Sequence, residues 1–191
     1  EARAKLSAAY AVNCHASADS APGAPDLLLL AVKPQQMKEA VAPLVSKLGA
    51  AVVVSIAAGL DMAALSRWLG GHRKIVRCMP NTPALIGAGI TGLCALPEVS
   101  ADERAAADRV LSAVGSTVWI DDENKMDGVT ALSGSGPAYV FLFIEAMQQA
   151  AAELGFTPKQ GRQLAIETVQ GAAALAAQSS DPASVLRERV T

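Results

Sequence analysis

Clustered basic charge, histidine and paired cysteine are all scarce in this sequence, and each scarcity removes a class of function. Lysine and arginine number 16 against 18 acidic residues, for a formal net charge of −2, with no Lys/Arg run and no basic stripe interleaved with aromatics. A nucleic-acid partner is therefore not expected. The three cysteines, Cys14, Cys78 and Cys94, are odd in number and widely separated, and His15 and His72 are the only histidines. Neither zinc-ligand spacing nor a disulfide framework results, so no metal is expected and the thiols read as reduced and buried in a cytoplasmic protein. The longest uncharged run, Cys78 to Pro97, is interrupted by Pro80, Asn81 and Pro83 and by Gly87, Gly89 and Gly92, so it is not a continuous helix and no membrane partner is expected. Glu1-Ala-Arg-Ala-Lys5 has neither an initiator Met nor a signal-peptide pattern and reads as the middle of a helix, so the polypeptide is expected to begin inside a fold.

With 51% hydrophobic and 18% charged residues over 191 positions, the chain can form one good core, or a medium domain with a helical appendage. Asp26–Val32 is a short apolar run behind Pro22, Gly23 and Pro25, and predicts a buried strand stopped by Lys33-Pro34. Apolar positions at Met37, Val41, Leu44, Val45 and Leu48 predict a helix over 35–48. The β-branched run 51–56 predicts the next strand, Gly59 ends it, and Asp61 caps a short helix reaching about Leu69. Lys74–Met79 predicts a third strand. Strand–helix–strand order repeated in this way implies right-handed crossovers and a parallel sheet covered on both faces. Further strands are expected at 90–96 and 116–120, separated by a helix from Ser100 or Ala101 to Val114 with Ser100 as its cap. After Asp121 only helical segments follow, at 124–132, 137–154 and 158–178, with another opening at Asp181-Pro182. The expected organisation is an α/β domain over residues 1–121 and an all-helical domain over 122–191.

Gly134-Ser-Gly136 begins like a phosphate loop. A dinucleotide fingerprint needs a strand before its first glycine and a small third residue, whereas here a helical segment precedes Gly134 and Tyr139 holds the third position. Pro137 suits the first turn of a helix capped by Ser135 or Gly136, so the local expectation is a tight break between two helices. Gly87-Ala-Gly89 follows Pro83 rather than a strand that feeds a helix. The α/β half therefore reads as a nucleotide-binding sheet without its first strand.

Three stretches, Leu27–Met37 (LLLLAVKPQQM), Ile75–Leu93 (IVRCMPNTPALIGAGITGL) and Val129–Met147 (VTALSGSGPAYVFLFIEAM), resemble pyrroline-5-carboxylate reductase in composition, order and spacing. The resemblance extends over essentially the whole chain. It implies an N-terminal Rossmann-like parallel-sheet domain followed by an all-α dimerisation domain, and reduction of Δ1-pyrroline-5-carboxylate to L-proline with hydride from NADPH or NADH. Family members begin upstream of the point equivalent to Glu1 with a strand, a Gly-rich loop and a second strand, so the α/β domain is expected to be N-terminally incomplete. They continue past Val190-Thr191 with a Ser-Pro-Gly-Gly-Thr-Thr substrate loop, so no residue here is assigned as catalytic. By resemblance, Ala31, Val32, Lys33 and Pro34 contact the cofactor's ribose and phosphates, Ile56, Ala57 and Ala58 let the nicotinamide approach the backbone, and Asn81 and Glu123 lie on the cofactor side. Pro80, Asn81, Thr82 and the segment Ser133, Gly134, Ser135 and Gly136 are implied to lie near the substrate. Ser20 falls about where many relatives carry a cofactor-contacting Asn.

A homodimer or larger homo-oligomer is expected, because Leu164, Thr168, Gly171, Ala172 and Leu175 form a stripe suited to close helix packing. Two other functions share this layout. One is a dehydrogenase of the β-hydroxyacid or 6-phosphogluconate type, against which the absence of a well-placed Lys in the helical half argues. The other is a non-catalytic dimerisation or nucleotide-sensing module.

Overall fold

Val52–Ser55, uncharged and mostly β-branched, forms strand β2, and every residue of it is buried. It pairs in parallel with β1 (Leu27–Leu30) on one side and β3 (Ile75–Met79) on the other. These elements come from a computed structural model that describes residues 1–21 and 23–190. Pro22, read above as part of the turn before the first strand, and Thr191 lie outside the described residues. Strands β4 (Gly89–Ala95) and β5 (Gly115–Trp119) complete a five-stranded sheet in the order β1-β2-β3-β4-β5.

The sheet is parallel at three of its junctions, but β4 runs antiparallel to β3. The reason is the length of the connection. Residues 80–88 hold only a 3-10 turn, Thr82–Ile86, ended by Gly87 with φ 72°, which is too short for a crossover helix. The parallel sheet expected from the sequence is present, with this one antiparallel junction in it. Strand β1 also departs from expectation. It is the outer strand of the described sheet, and Leu29 is 41% exposed where a buried strand was expected.

Side chains alternate between the two sheet faces. Val53, Ile75 and Cys94 join one core cluster with Met37, Val41 and Leu65, while Val52, Val54, Val76 and Leu93 join another with Ala107 and Leu111. Each fully buried Val or Leu in these layers contributes about 1.5–3 kcal/mol relative to an exposed position. Helices α2 (Met37–Val41) and α3 (Met62–Trp68) cover the first face, and α4 (Ala101–Ser112) covers the second. Helix α1 (Ala2–Tyr10) precedes them and buries none of its residues.

The caps are as expected. The Asp61 carboxylate accepts from the Ala64 amide, and Ser100 forms a capping box with Glu103. The helix expected over 35–48 is instead broken into a 3-10 turn at Pro34–Gln36, the five-residue α2, and a 3-10 segment at Ala42–Lys47. Pro43 explains the break, since it has no N–H and its ring crowds the carbonyl four residues earlier.

Past β5 the chain makes a 3-10 turn at Glu123–Lys125, helix α5 (Met126–Val129), and then a π-helical turn at Thr130–Gly134. The single helix over 124–132 is therefore corrected to three helical types in succession. The break expected around Gly134-Ser-Gly136 is the end of that π turn, closed by the Ser135 amide donating to the Thr130 carbonyl at 2.8 Å.

Contacts divide the chain into two compact units, Glu1–Ser135 and Gly136–Thr191. The second contains α6 (Gly136–Glu153), α7 (Pro158–Gln178) and α8 (Ala183–Glu188). Helices α6 and α7 form a hairpin turned by Gly155 at φ 86° and by a Thr157–Gln160 capping box. Gly161 permits their close approach, since a Cβ there would stand 3.0 Å from the Ala151 methyl. Little else of this hairpin is covered. Tyr139, Phe141, Leu142 and Phe143 of α6 are each at least 60% exposed, and Leu164, Thr168, Gly171, Ala172 and Leu175 of α7 are all exposed. A helix this apolar on most sides calls for further burial.

Candidate functional site

Strands β1, β2 and β3 run in the same direction and in register, with Leu30 beside Ser55 and Ser55 beside Arg77. Their carboxyl ends therefore reach one edge of the sheet, the edge at which parallel α/β folds bind ligands. Most of the expected cofactor residues stand there. Ala31 is exposed, Val32 is 37% exposed, and Lys33 and Pro34 start the 3-10 turn that leads the chain off β1. The Ile56 amide donates to the Leu30 carbonyl at 3.2 Å, which holds the β2 exit beside that of β1. The buried Ser55 hydroxyl accepts from the Ala57 amide at 3.3 Å and shapes the turn at Ile56, Ala57 and Ala58. Ala57 is buried and Ala58 exposed, so past the half-buried Ile56 only methyl side chains stand at this turn's approach to the backbone.

The third exit is Pro80-Asn81-Thr82. Asn81 is half-buried and uses both ends of its amide within the chain. Its Oδ1 accepts from the Ile90 amide at 3.0 Å and its Nδ2 donates to the Ser133 carbonyl at 3.2 Å. Ser133 and Gly134 thereby lie against the end of β3. A Cβ on Gly134 would come within 2.6 Å of the Met79 methyl, so the first glycine of Gly-Ser-Gly gives room to a core side chain. Gly92 on β4 plays the same part toward Val129 of α5. Pro80, Thr82, Ser133, Gly134 and Ser135 are thus gathered around one strand end of the first unit. Gly136 opens α6 and belongs to the second unit.

Glu123 is occupied with anchoring. One carboxylate oxygen accepts from the Met62 amide at 2.7 Å, at the start of α3, and from the Arg77 guanidinium at 3.2 Å. Arg77 is itself buried and also reaches Asp127 at 3.3 Å. This cluster fixes the far end of the loop that begins at Ile56. Sequence reasoning missed Arg77, although its signal was visible as the one charge inside the strand run Ile75–Met79. No buried side-chain nitrogen or oxygen among the described residues lacks a partner, and none of their His, Cys, Asp and Glu groups could hold a metal.

Two of the three thiols are held in their neutral form. Burial, with Cys94 nearby, pushes the Cys78 thiol up to about 12, and burial and the Glu123 charge raise Cys94. Cys78 and Cys94 are buried as expected, whereas Cys14 is half-buried, which corrects the reading of three buried thiols. An alkylating reagent at neutral pH should therefore label Cys14 in the native protein and all three cysteines only after unfolding. Intact-mass spectrometry counts the adducts, and native labelling of Cys78 would contradict the burial described here.

Both ends of the chain match models of known protein families. A family model described as pyrroline-5-carboxylate reductase dimerisation matches residues 123–191, and one described as NADP oxidoreductase, coenzyme F420-dependent, matches residues 1–59. A pyrroline-5-carboxylate reductase from Pseudomonas aeruginosa is 45% identical over all of this chain and 70% of its own length. The Haemophilus influenzae enzyme of the same name is 44% identical, with 87% of this chain and 62% of its own length covered. Among solved structures, a pyrroline-5-carboxylate reductase from Coxiella burnetii superposes with a TM-score of 0.82 at 41% identity, over 87% of this chain and 62% of the other. The Plasmodium falciparum pyrroline carboxylate reductase with NADP bound gives 0.84 at 29% identity, over 94% and 71%. The fold is accordingly a Rossmann-like, mostly parallel sheet followed by a helical dimerisation region, and the chain belongs to the pyrroline-5-carboxylate reductase family.

Proposed function

We propose that the protein reduces Δ1-pyrroline-5-carboxylate to L-proline with a nicotinamide dinucleotide, acting as a homodimer or larger homo-oligomer in the cytoplasm. The observation that carries this reading is 45% identity over the full chain to a reductase of that name. The convergence of three strand exits on one sheet edge supports it. NADP is the bound cofactor in the Plasmodium relative, and the edge suits such a molecule, because Ala31, Ala57 and Ala58 keep bulk away from the backbone it would approach.

When bound, the dinucleotide supplies a hydride for the imine carbon, while the nitrogen takes a proton. In this reading Ala31, Val32, Lys33 and Pro34 receive its ribose and phosphates, with the Lys33 cation favouring the negative charge. Ile56, Ala57 and Ala58 border the nicotinamide, and the Ser55 hydroxyl keeps their turn in shape. Pro80, Thr82 and the backbone of Ser133 to Ser135, followed in sequence by Gly136, border the imine acid. Glu123 acts at one remove, holding the end of the Ile56 turn through the Met62 amide. We take residues 1–121 as the cofactor domain and 122–191 as the dimerisation domain, a division supported by the family match that starts at 123.

Within the helical stretch 123–153, an 18-residue window reaches a mean hydropathy of 1.2, long and apolar enough by composition to cross a bilayer. Its match to a dimerisation model supports assigning that apolar surface to a second copy instead. The test is proline formation from Δ1-pyrroline-5-carboxylate by the protein at its full natural length, with NADPH and NADH compared. Turnover is expected with at least one of them. Oxidation of β-hydroxyacids without proline formation would sink the assignment.

A further inference from the structure

Asn81 stands at the N-cap position of the 3-10 turn Thr82–Ile86, where an Asn side chain usually caps its own turn. Here it makes no such cap. Its Oδ1 instead accepts from Ile90 at the start of β4, and its Nδ2 donates to Ser133, 52 residues along the chain. The two partners also fix the amide's orientation, since a flipped amide would set N–H against N–H and oxygen against oxygen.

The Ser133 carbonyl has a specific need for this donor. In a regular helix it would accept from the amide four residues later, but residue 137 is proline, which has no N–H. Widening of the helix into the π turn at Thr130–Gly134 occurs at this point. Asn81 thus supplies the hydrogen bond that Pro137 cannot, and in doing so ties the π turn to the end of β3. Met79 reinforces the tie by filling the space that the absent Gly134 side chain leaves.

We propose that Asn81 is a positioning residue of the reductase. Its amide holds the Ser133–Ser135 backbone in place for the imine acid, and it does not itself contact the cofactor. This role rests on the reductase reading given above.

Asn81→Asp separates the two functions of the side chain. It keeps an acceptor for the Ile90 amide but sets a carboxylate oxygen against the Ser133 carbonyl. The experiment uses the protein at its full natural length and three measurements: steady-state kinetics, NADPH affinity by fluorescence titration, and amide exchange across 131–136. We expect KM for the imine acid to rise about tenfold, since small displacements of a positioning group weaken binding steeply. NADPH affinity should stay within about twofold, and exchange at the Ser135 amide, bonded to Thr130, should quicken. Asn81→Ala, which loses both bonds, should show the same pattern with a lower Tm. An NADPH affinity weakened about tenfold with KM for the imine unchanged would overturn the proposal in favour of direct cofactor contact. Unchanged KM and unchanged exchange would overturn it too, by showing the tie to be inert. If the unmutated protein forms no proline, the reductase reading fails and takes this role with it, an outcome read from the wild type alone.

Discussion

Replacing Gly115 by alanine is expected to cost about 4 kcal/mol or more, a large fraction of the roughly 5–15 kcal/mol that holds a typical domain folded. Gly115 opens β5 opposite Gly89 of β4, with φ 144°, a conformation that side chains rarely adopt. A Cβ there would lie 2.5 Å from both the carbonyl carbon and the nitrogen of Gly89, and closer still to its oxygen. The obstacle is backbone in a paired strand, so no side-chain rotation relieves it. Gly89 has no space to yield, because the Ala84 Cα and the Val114 carbonyl oxygen already lie 2.9 Å from where its own Cβ would be. Urea denaturation followed by far-UV circular dichroism measures the loss. Gly128→Ala in α5 is the matched control. Nothing lies within 4 Å of the added methyl, and alanine in a helix interior should leave stability unchanged or raise it by about 0.5–1 kcal/mol. A Gly115→Ala protein as stable as this control would refute the close approach of the two strands.

The second large effect is expected at Arg77. Its side chain is 9% exposed and Glu123, its partner, 27%. Arg77→Met would keep the apolar stem's volume and leave the Glu123 carboxylate with the Met62 amide alone. Breaking a fully buried pair costs about 3–5 kcal/mol, but Glu123 retains some contact with water and Asp127 is largely exposed, so about 2 kcal/mol is expected. Because the uncompensated carboxylate is the cause, adding Glu123→Gln to the same protein should restore more than half of the loss. A double-mutant cycle in urea reads this directly. Purely additive losses would show that Arg77 acts through packing alone.

These two sites also mark what the sequence made legible and what it did not. The β-branched run 51–56 and the run Lys74–Met79 located β2 and β3, because burial on both faces of a central strand favours apolar and β-branched residues, Arg77 being the exception. Ser100 and Asp61 announced their helices, because capping is a local interaction among residues three apart. The direction of β4 was not readable, since residues 90–96 have the same composition whichever way they pair. Pro43 was in plain view, yet the apolar spacing around it predicted a continuous helix. Nor does any pattern show that Glu123 reaches Met62 or that Asn81 reaches Ser133. Those contacts join residues more than 50 positions apart and exist only once the sheet has formed. The resemblance named the strand-end residues; the structure added that Asn81 uses both ends of its amide, and Glu123 one carboxylate oxygen, within the protein itself.

The order of the sheet bears on how the chain leaves the ribosome. Among the described strands, each pairs with the one made just before it, and none has to be inserted between two already in place. A nascent chain can therefore extend an existing edge each time a new strand emerges, with a helix or short turn closing over it before the next arrives. Under that scheme the pairing of Gly89 with Gly115 is the last joint of the sheet to close. A side chain at Gly115 would then arrest folding late, with the other four described strands assembled and the β4 edge open to other chains.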